Sequence, residues 1–280
     1  MTLWHRAAVR VIELSDAEGV RWLPDEPSGV GALVLAGSSG RVDSARAELL
    51  ARHGVTAESI RWFGGTGQHD GPWEIPLELF LGRVEELAQR CDRVVVMGTS
   101  FGAEAALLTG VHSPHVATVV AFAPSDVVWA GVRGDGSTTS HWSLGGEPLP
   151  YVPFDESWRP EDDVPAFVGL YEASRHRFAT RLASAAIPVE RIEHVLLVAG
   201  GDDRVWPALT MAEAIRVRRA EHGLDTALVT DRDAGHRTVL PGEPVVAGGQ
   251  RMQRGGNEAA DQRLGEVAWE QFVRLLATTP

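Results

Sequence analysis

The chain has 280 residues, 44% of them hydrophobic, which is enough for one large α/β domain or two small ones, with a sizeable core. Its single cysteine, Cys91, excludes an intramolecular disulfide and a thiolate metal cluster, and this suits a reducing cytoplasm. A formal net charge of −12, with every basic residue an arginine, is opposite to what nucleic-acid binding needs, so no nucleic-acid partner is expected.

The first residues, MTLWHRAAVRVIELSDAEG, alternate charged and apolar side chains and lack the apolar core of a signal peptide. No segment approaches the roughly 18 apolar residues of a membrane span, so a soluble, cytoplasmic protein without a membrane partner is expected. Apolar, β-rich runs predict strands over 7–14, 31–37, 58–64, 92–98, 116–124, 194–200 and 226–231. Helical periodicity predicts helices over 43–53, 75–90, 101–111, 168–186 and 208–222, and a last one from about Asn257 with Leu264, Val267, Phe272 and Leu276 as its inward stripe. Strands alternating with helices, several of them apolar almost throughout, imply a mostly parallel sheet covered on both faces.

The rhythm breaks over 125–188, where a long Gly-, Pro- and Ser-rich stretch precedes the helical segment. Long irregular insertions in compact domains are usually functional or disordered, and the aromatic content here favours function. We therefore expect an α/β core over 1–124 and 189–280 with a lid or cap over 125–188. Its aromatics Trp129, Trp142, Tyr151, Trp158 and Tyr171 are candidates for lining a substrate pocket, or for packing the insertion itself.

The stretch VVVMGTSFGAEAALL carries the chemistry. Gly98-Thr-Ser100-Phe-Gly102 fits G-x-S-x-G, in which a serine sits on a strained strand-to-helix turn, and the flanking sequence supplies both strand and helix. A serine hydroxyl needs a base, and the base needs an orienting acid, expected downstream in the order Ser, acid, His. The acid candidates are Asp202 and Asp203 in LLVAGGDDRVWP, after an apolar strand where open α/β sheets bind ligands. The base candidate is His236, in a loop just past the strand at 226–231. His53 and His222 are read as helix ends, and His141 and His176, in the insertion, as exposed loop residues rather than substrate contacts. His112 and His115 flank Pro114 with no carboxylate cluster after them, so no metal site is expected. Oxyanion donors are expected from the backbone of Phe101 and from Ser38 or Ser39 in VLAGSSGRV.

Taken together, GTSFGAEAALL, AFAPSDVVWAG, AAIPVERI, LLVAGGDDRVWP and DAGHRTVLP resemble the C-terminal domain of acyl-CoA thioester hydrolases and bile acid-CoA:amino acid N-acyltransferases, a branch of the α/β-hydrolase superfamily. The resemblance runs from about residue 30 to the end. It implies an α/β-hydrolase fold with Ser100 as nucleophile, His236 as base and Asp203, four residues before Pro207, as the acid. The animal relatives carry an N-terminal β-sandwich, whereas only about 30 residues precede the likeness here. The amino-acid acyltransferase member has cysteine at the elbow; serine here tilts the expectation toward water as the acceptor.

The expected activity is thus a serine hydrolase acting on a small-molecule acyl thioester or ester, without a cofactor. Acyl transfer, ring closure or carboxylester cleavage on a substrate other than an acyl-CoA is the alternative, and a non-catalytic binding module the third. The basic loop GGQRMQRGG, with Arg251 and Arg254, is a candidate for meeting coenzyme phosphates.

Overall fold

A computed structural model describes residues 8–244 and 250–278. The chain opens with β1 (Val9–Glu13), β2 (Gly19–Pro24) and β3 (Val30–Leu35), then α1 (Ser44–Ala51) and β4 (Thr56–Ile60). A two-residue β5 (Ile75–Pro76) leads into α2 (Glu78–Ala88), β6 (Arg93–Thr99), α3 (Phe101–His112) and β7 (Val116–Phe122). Four short strands follow, β8 (Ala130–Val132), β9 (Thr138–Ser140), β10 (Trp142–Leu144) and β11 (Glu147–Pro148), then α4 (Val168–Arg177) and α5 (Leu182–Ala185). The chain ends with β12 (His194–Gly200), α6 (Ala208–Glu221), β13 (Ala227–Asp231) and α7 (Glu258–Thr278).

Eight strands form the main sheet in the order β1-β2-β4-β3-β6-β7-β12-β13. Only β1 with β2 and β2 with β4 pair antiparallel; every pair from β4 to β13 is parallel. The central strands read as unbroken apolar runs because both of their faces are buried. In β6, Val94 and Val96 enter the core shared with α2, α3 and α6, while Val95 and Met97 enter the one shared with α1 and α7. In β3, Leu33 and Leu35 take the first face, and Val30, Ala32 and Val34 the second. The period-2 alternation is present, but it sorts side chains between two dry layers.

Two expectations need correction. Val267 is 47% exposed, and the inward stripe of α7 runs through Ala260, Leu264, Ala268 and Phe272, spacings of four that a helix stacks on one face. The segment 125–188 is not irregular throughout, because β8 and β9 form a hairpin and β10 joins β5 and β11 in a small three-stranded sheet. Strands of two or three residues are too short to show a periodicity. No element marks the strand β2 in the reading above, since its GVRWLP interleaves charge with apolar residues.

Candidate active site

The C-terminal ends of β3 and β6 and the loops after β12 and β13 surround a cavity of about 560 Å³. Ser100 and His236 both line it, together with Gly37, Ser38, Ser39 and Val205.

Ser100 sits between β6 and α3 at φ +59° and ψ −125°, a conformation that L side chains rarely adopt and that costs on the order of 1–3 kcal/mol. The surroundings hold it there. Its N–H donates to the Phe122 carbonyl on β7 at 2.9 Å, and its own carbonyl accepts the N–H groups of Ala103 (2.8 Å) and Glu104 (3.1 Å), starting the helix. The glycines on either side are sterically required, because a Cβ on Gly98 would lie 1.9 Å from the Gly102 carbonyl oxygen, and one on Gly102 would lie 2.1 Å from that of Ala36. The pattern G-x-S-x-G is therefore the sequence record of a strand and a helix brought into backbone contact.

The structure separates the two aspartates. Asp203, after β12, is buried; its Oδ2 accepts a hydrogen bond from His236 Nδ1–H at 2.7 Å, and its Oδ1 accepts the backbone N–H groups of Val205 (2.8 Å) and Trp206 (3.2 Å). An acceptor at Nδ1 fixes the tautomer that leaves Nε2 as a lone-pair site. Asp202, four-tenths exposed at its side chain, instead accepts from the Gly256 N–H at 2.9 Å and pairs with Arg204 at 2.9 Å. The Gly256 N–H bond is the largest influence and holds its pKa below the ordinary value; burial opposes it, and the Arg204 hydrogen bond and charge add to the lowering. His236 is anchored through its main chain as well, its backbone N–H donating to the Arg254 carbonyl at 2.9 Å.

Ser38 and Ser39 are exposed on the loop after β3, on the cavity wall, and Phe101 begins α3 with its ring buried. Of the five aromatic candidates, none lines this cavity. Trp129, Trp142 and Tyr171 are buried in the core that also holds α2, α3 and α6, with Trp129 against Tyr171 (4.7 Å between rings) and Trp142 against Trp62 (5.3 Å). Tyr151 and Trp158 are half-buried, the latter tilted on Phe167. His176 is exposed on α4, but His141 is buried and stacked on Phe101 at 4.1 Å, so it is a core residue. Of GGQRMQRGG, Gly248 and Gly249 lie outside the described residues; Arg254 lines the cavity and Arg251, exposed, does not.

Two contributors escaped the sequence reading. Trp206, fully buried, sets its ring edge-on to that of His236 at 5.9 Å and donates Nε1–H to the Ala123 carbonyl at 3.2 Å, bracing both sides of the site. Its place next to Asp203 in DDRVWP is the available signal. Arg46 joins α1, β6 and the loop after His236: it donates to Glu243 (2.5 and 2.9 Å), Thr99 Oγ1 (3.0 Å) and the Thr238 carbonyl (3.2 Å). Burial opposes its charge, and the Glu243 carboxylate outweighs that, keeping its pKa above the ordinary value. Nothing in the spacing of DSARAELL marks Arg46, whose partners lie far along the chain.

Among the described residues no helix is long and apolar enough to cross a membrane. Comparison with curated protein sequences finds no match. Among solved structures, the chain is similar to a Klebsiella pneumoniae protein assigned as a dienelactone hydrolase, at 14% identity and TM-score 0.55 over 97% of this chain and 99% of that one. It is also similar to a hormone-sensitive lipase from a metagenome library, at 12% identity and TM-score 0.53 over 96% of this chain and 86% of that one. Identities this low speak for the fold alone, and that fold is the α/β-hydrolase. A family model described as BAAT / acyl-CoA thioester hydrolase C terminal matches residues 79–278, more than half of the chain and all of the segment from α3 through His236. The chain therefore belongs to the BAAT / acyl-CoA thioester hydrolase C-terminal family, a hydrolase family, on an α/β-hydrolase fold.

Proposed function

We propose that this protein is a serine hydrolase of acyl thioesters or esters, acting through Ser100, His236 and Asp203 and an acyl-enzyme. The observation that carries the reading is the 2.7 Å contact of His236 Nδ1 with the buried Asp203 carboxylate, at a cavity that also exposes the positive-φ Ser100. His236 Nε2 takes the Ser100 proton as Oγ attacks the acyl carbonyl, then returns it to the leaving thiol or alcohol. The negative charge on the carbonyl oxygen is met by the backbone N–H of Phe101, at the positive end of α3, and by a donor from Ser38 or Ser39. Water deprotonated by His236 then attacks the acyl-Ser100 ester, and collapse releases the acid and restores the serine.

The test is thiol release from acyl-CoA esters of rising chain length, with and without glycine or taurine as acceptor, beside labelling by a fluorophosphonate. Ser100→Ala should abolish labelling and lower kcat by on the order of 10⁴ or more with an unchanged circular dichroism spectrum. A folded variant retaining a tenth of the activity removes Ser100 from the role, and product that forms only with the acceptor replaces hydrolysis by acyl transfer.

A further inference from the structure

Residues 252–256, just before α7, form neither helix nor strand, yet they run where the loop of His236 and the turn of Asp203 come together. The Arg254 carbonyl accepts the backbone N–H of His236 at 2.9 Å and, at 3.4 Å, that of Arg204, the residue after Asp203. One oxygen with two lone pairs thus ties both loops to this strap. Gly256 donates its N–H to Asp202 Oδ2 at 2.9 Å, and Asp261, in the first turn of α7, accepts the Gly235 N–H at 2.7 Å. Glycine makes the approach possible. At Gly255, with φ +67°, a Cβ would lie 1.6 Å from the Asp202 carbonyl oxygen, and one at Gly235 would lie 2.3 Å from the Gly255 carbonyl oxygen. The second Gly-Gly of GGQRMQRGG is therefore the mark of a backbone contact, as are Gly98 and Gly102.

A strap without helix or sheet bonds of its own has to be held by something else, since such backbone opens first. Within the strap, Arg254 turns its guanidinium back onto the carbonyls of Met252 (3.3 Å) and Gln250 (2.7 Å). Outside it, the tie is Gln253. Its backbone N–H donates to the Pro165 carbonyl at 2.9 Å, and its half-buried side-chain amide donates to the Val164 carbonyl (2.8 Å) and to Asp162 Oδ2 (2.9 Å). The charge on Asp162 strengthens the last of these bonds. Residues 162–165 belong to the segment 125–188 and lead into α4, whose Val168 N–H donates to the Arg204 carbonyl at 3.1 Å. That segment thus grips both the strap and the acid turn. The two catalytic loops also meet directly, through the Asp202 N–H and the Ala234 carbonyl at 2.9 Å, but that bond fixes the loop two residues before His236, whereas the strap fixes His236 itself.

We infer that Gln253 is a positioning residue: by fastening the strap 252–256 to residues 162–165 it holds His236 against Asp203, so that the segment 125–188 sets the geometry of the base. A displacement of about 1 Å at a catalytic group costs on the order of 100-fold in rate. The inference rests on the proposed hydrolase reading for its kinetic consequence and on the hydrogen bonds alone for its mechanical one.

Two substitutions of similar length separate donation from packing. Gln253→Met removes the side-chain donors and Gln253→Lys restores them. With 4-nitrophenyl butyrate as the probe, Gln253→Met should lower kcat about tenfold while KM stays within about threefold, and should slow fluorophosphonate labelling in proportion. Gln253→Lys should recover most of that loss. Asp162→Ala, which removes the acceptor on an exposed residue, should act in the same direction as Gln253→Met.

Residue-resolved amide hydrogen exchange reads the strap without any reaction. The His236 N–H should exchange about tenfold faster in Gln253→Met, with the N–H of Val96 in β6 unchanged. A role confined to local packing would speed only the amides of Gln253 and residues 162–168. Unchanged His236 exchange in folded Gln253→Met and Asp162→Ala overturns the inference, and so does faster exchange with an undiminished kcat. If the wild type neither cleaves the ester nor takes the label, the hydrolase reading fails, and exchange alone decides whether Gln253 holds His236.

Discussion

Two sides of α3 hold the same three kinds of side chain, a carboxylic acid, an imidazole and an indole, and make opposite use of them. At its N-terminal end, Asp203, His236 and Trp206 meet at the cavity; along its flank, Glu104, His141 and Trp142 meet in the dry core. On the cavity side both carboxylate oxygens of Asp203 have donors, and one donor is the imidazole. On the core side Glu104 Oε1 accepts the Trp142 indole N–H (2.7 Å) and the Trp129 N–H (3.1 Å), but Oε2 and His141 Nε2 have no partner. Burial then decides the charge. It pushes the Glu104 pKa well up, beyond what those two donors pull back, and it lowers that of His141 to about 3. An acid and an imidazole in one protein are thus held to each other on the cavity side; apart and dry in the core, each is pushed by burial toward its neutral form.

The largest effect should come from breaking the paired side. Asp203→Ala removes the acceptor that fixes the His236 tautomer, and kcat should fall by about 10³- to 10⁴-fold in the acyl-CoA or fluorophosphonate assay. A loss under tenfold in a folded variant would mean that His236 is oriented by something else.

The dry side should answer in stability instead, with a pH dependence of defined sign. Glu104 has a raised folded pKa, so its contribution is full below its unfolded value of 4.5 and is lost as pH rises from there toward the folded value. His141 has a depressed pKa, so its contribution is full above 6.5 and is lost as pH falls from there to about 3. Denaturant unfolding should therefore show Glu104→Gln gaining on the wild type by about 1.4 kcal/mol per pH unit as pH rises above 4.5. His141→Phe should gain by the same slope, about 1.4 kcal/mol per unit, as pH falls below 6.5. Glu104→Ala, which leaves the Trp142 N–H unpaired beside a cavity, should lose about 2–4 kcal/mol. Parallel stability curves for Glu104→Gln and wild type would show that Glu104 is ionised in the native state.

The same contrast marks what could be read from sequence. The paired side was legible because its constraints are local: G-x-S-x-G encodes a backbone contact at Gly98 and Gly102, and an apolar strand run followed by Gly-Gly-Asp-Asp places an acid at a strand end. The parallel sheet was legible for a related reason, since strands buried on two faces must be apolar throughout. The dry side was not legible, because the partners of Glu104 lie 25 and 38 residues away in a segment without periodicity. Trp129, Trp142 and Tyr171 drew attention as aromatic residues, but an aromatic run reads alike whether it faces a ligand or the core. Arg46, tied to Glu243 at a separation of 197 residues, had no local signature at all.

The smallest effect tests the pairing argument within a single dipeptide. Asp202 and Asp203 share a turn, a residue type and a position after the same strand, and from the residues alone either could have been the acid. They differ in what the turn does with their side chains: one faces the buried imidazole, while the other faces Arg204 and the Gly256 N–H near solvent. Asp202→Asn keeps an acceptor for the Gly256 N–H and removes only an exposed ion pair, an interaction worth about 0–1 kcal/mol. Its kcat should stay within about threefold of wild type, with little loss of stability at neutral pH. The Asp202 carboxylate is held below its ordinary pKa, so the small contribution it makes is present above 3.8 and is lost as pH falls below that value, an acid-side loss that Asp202→Asn should lack. Equal damage from Asp202→Asn and Asp203→Ala would mean that the turn acts as a unit, and that acceptor geometry around His236, rather than the identity of one carboxylate, is what the site requires.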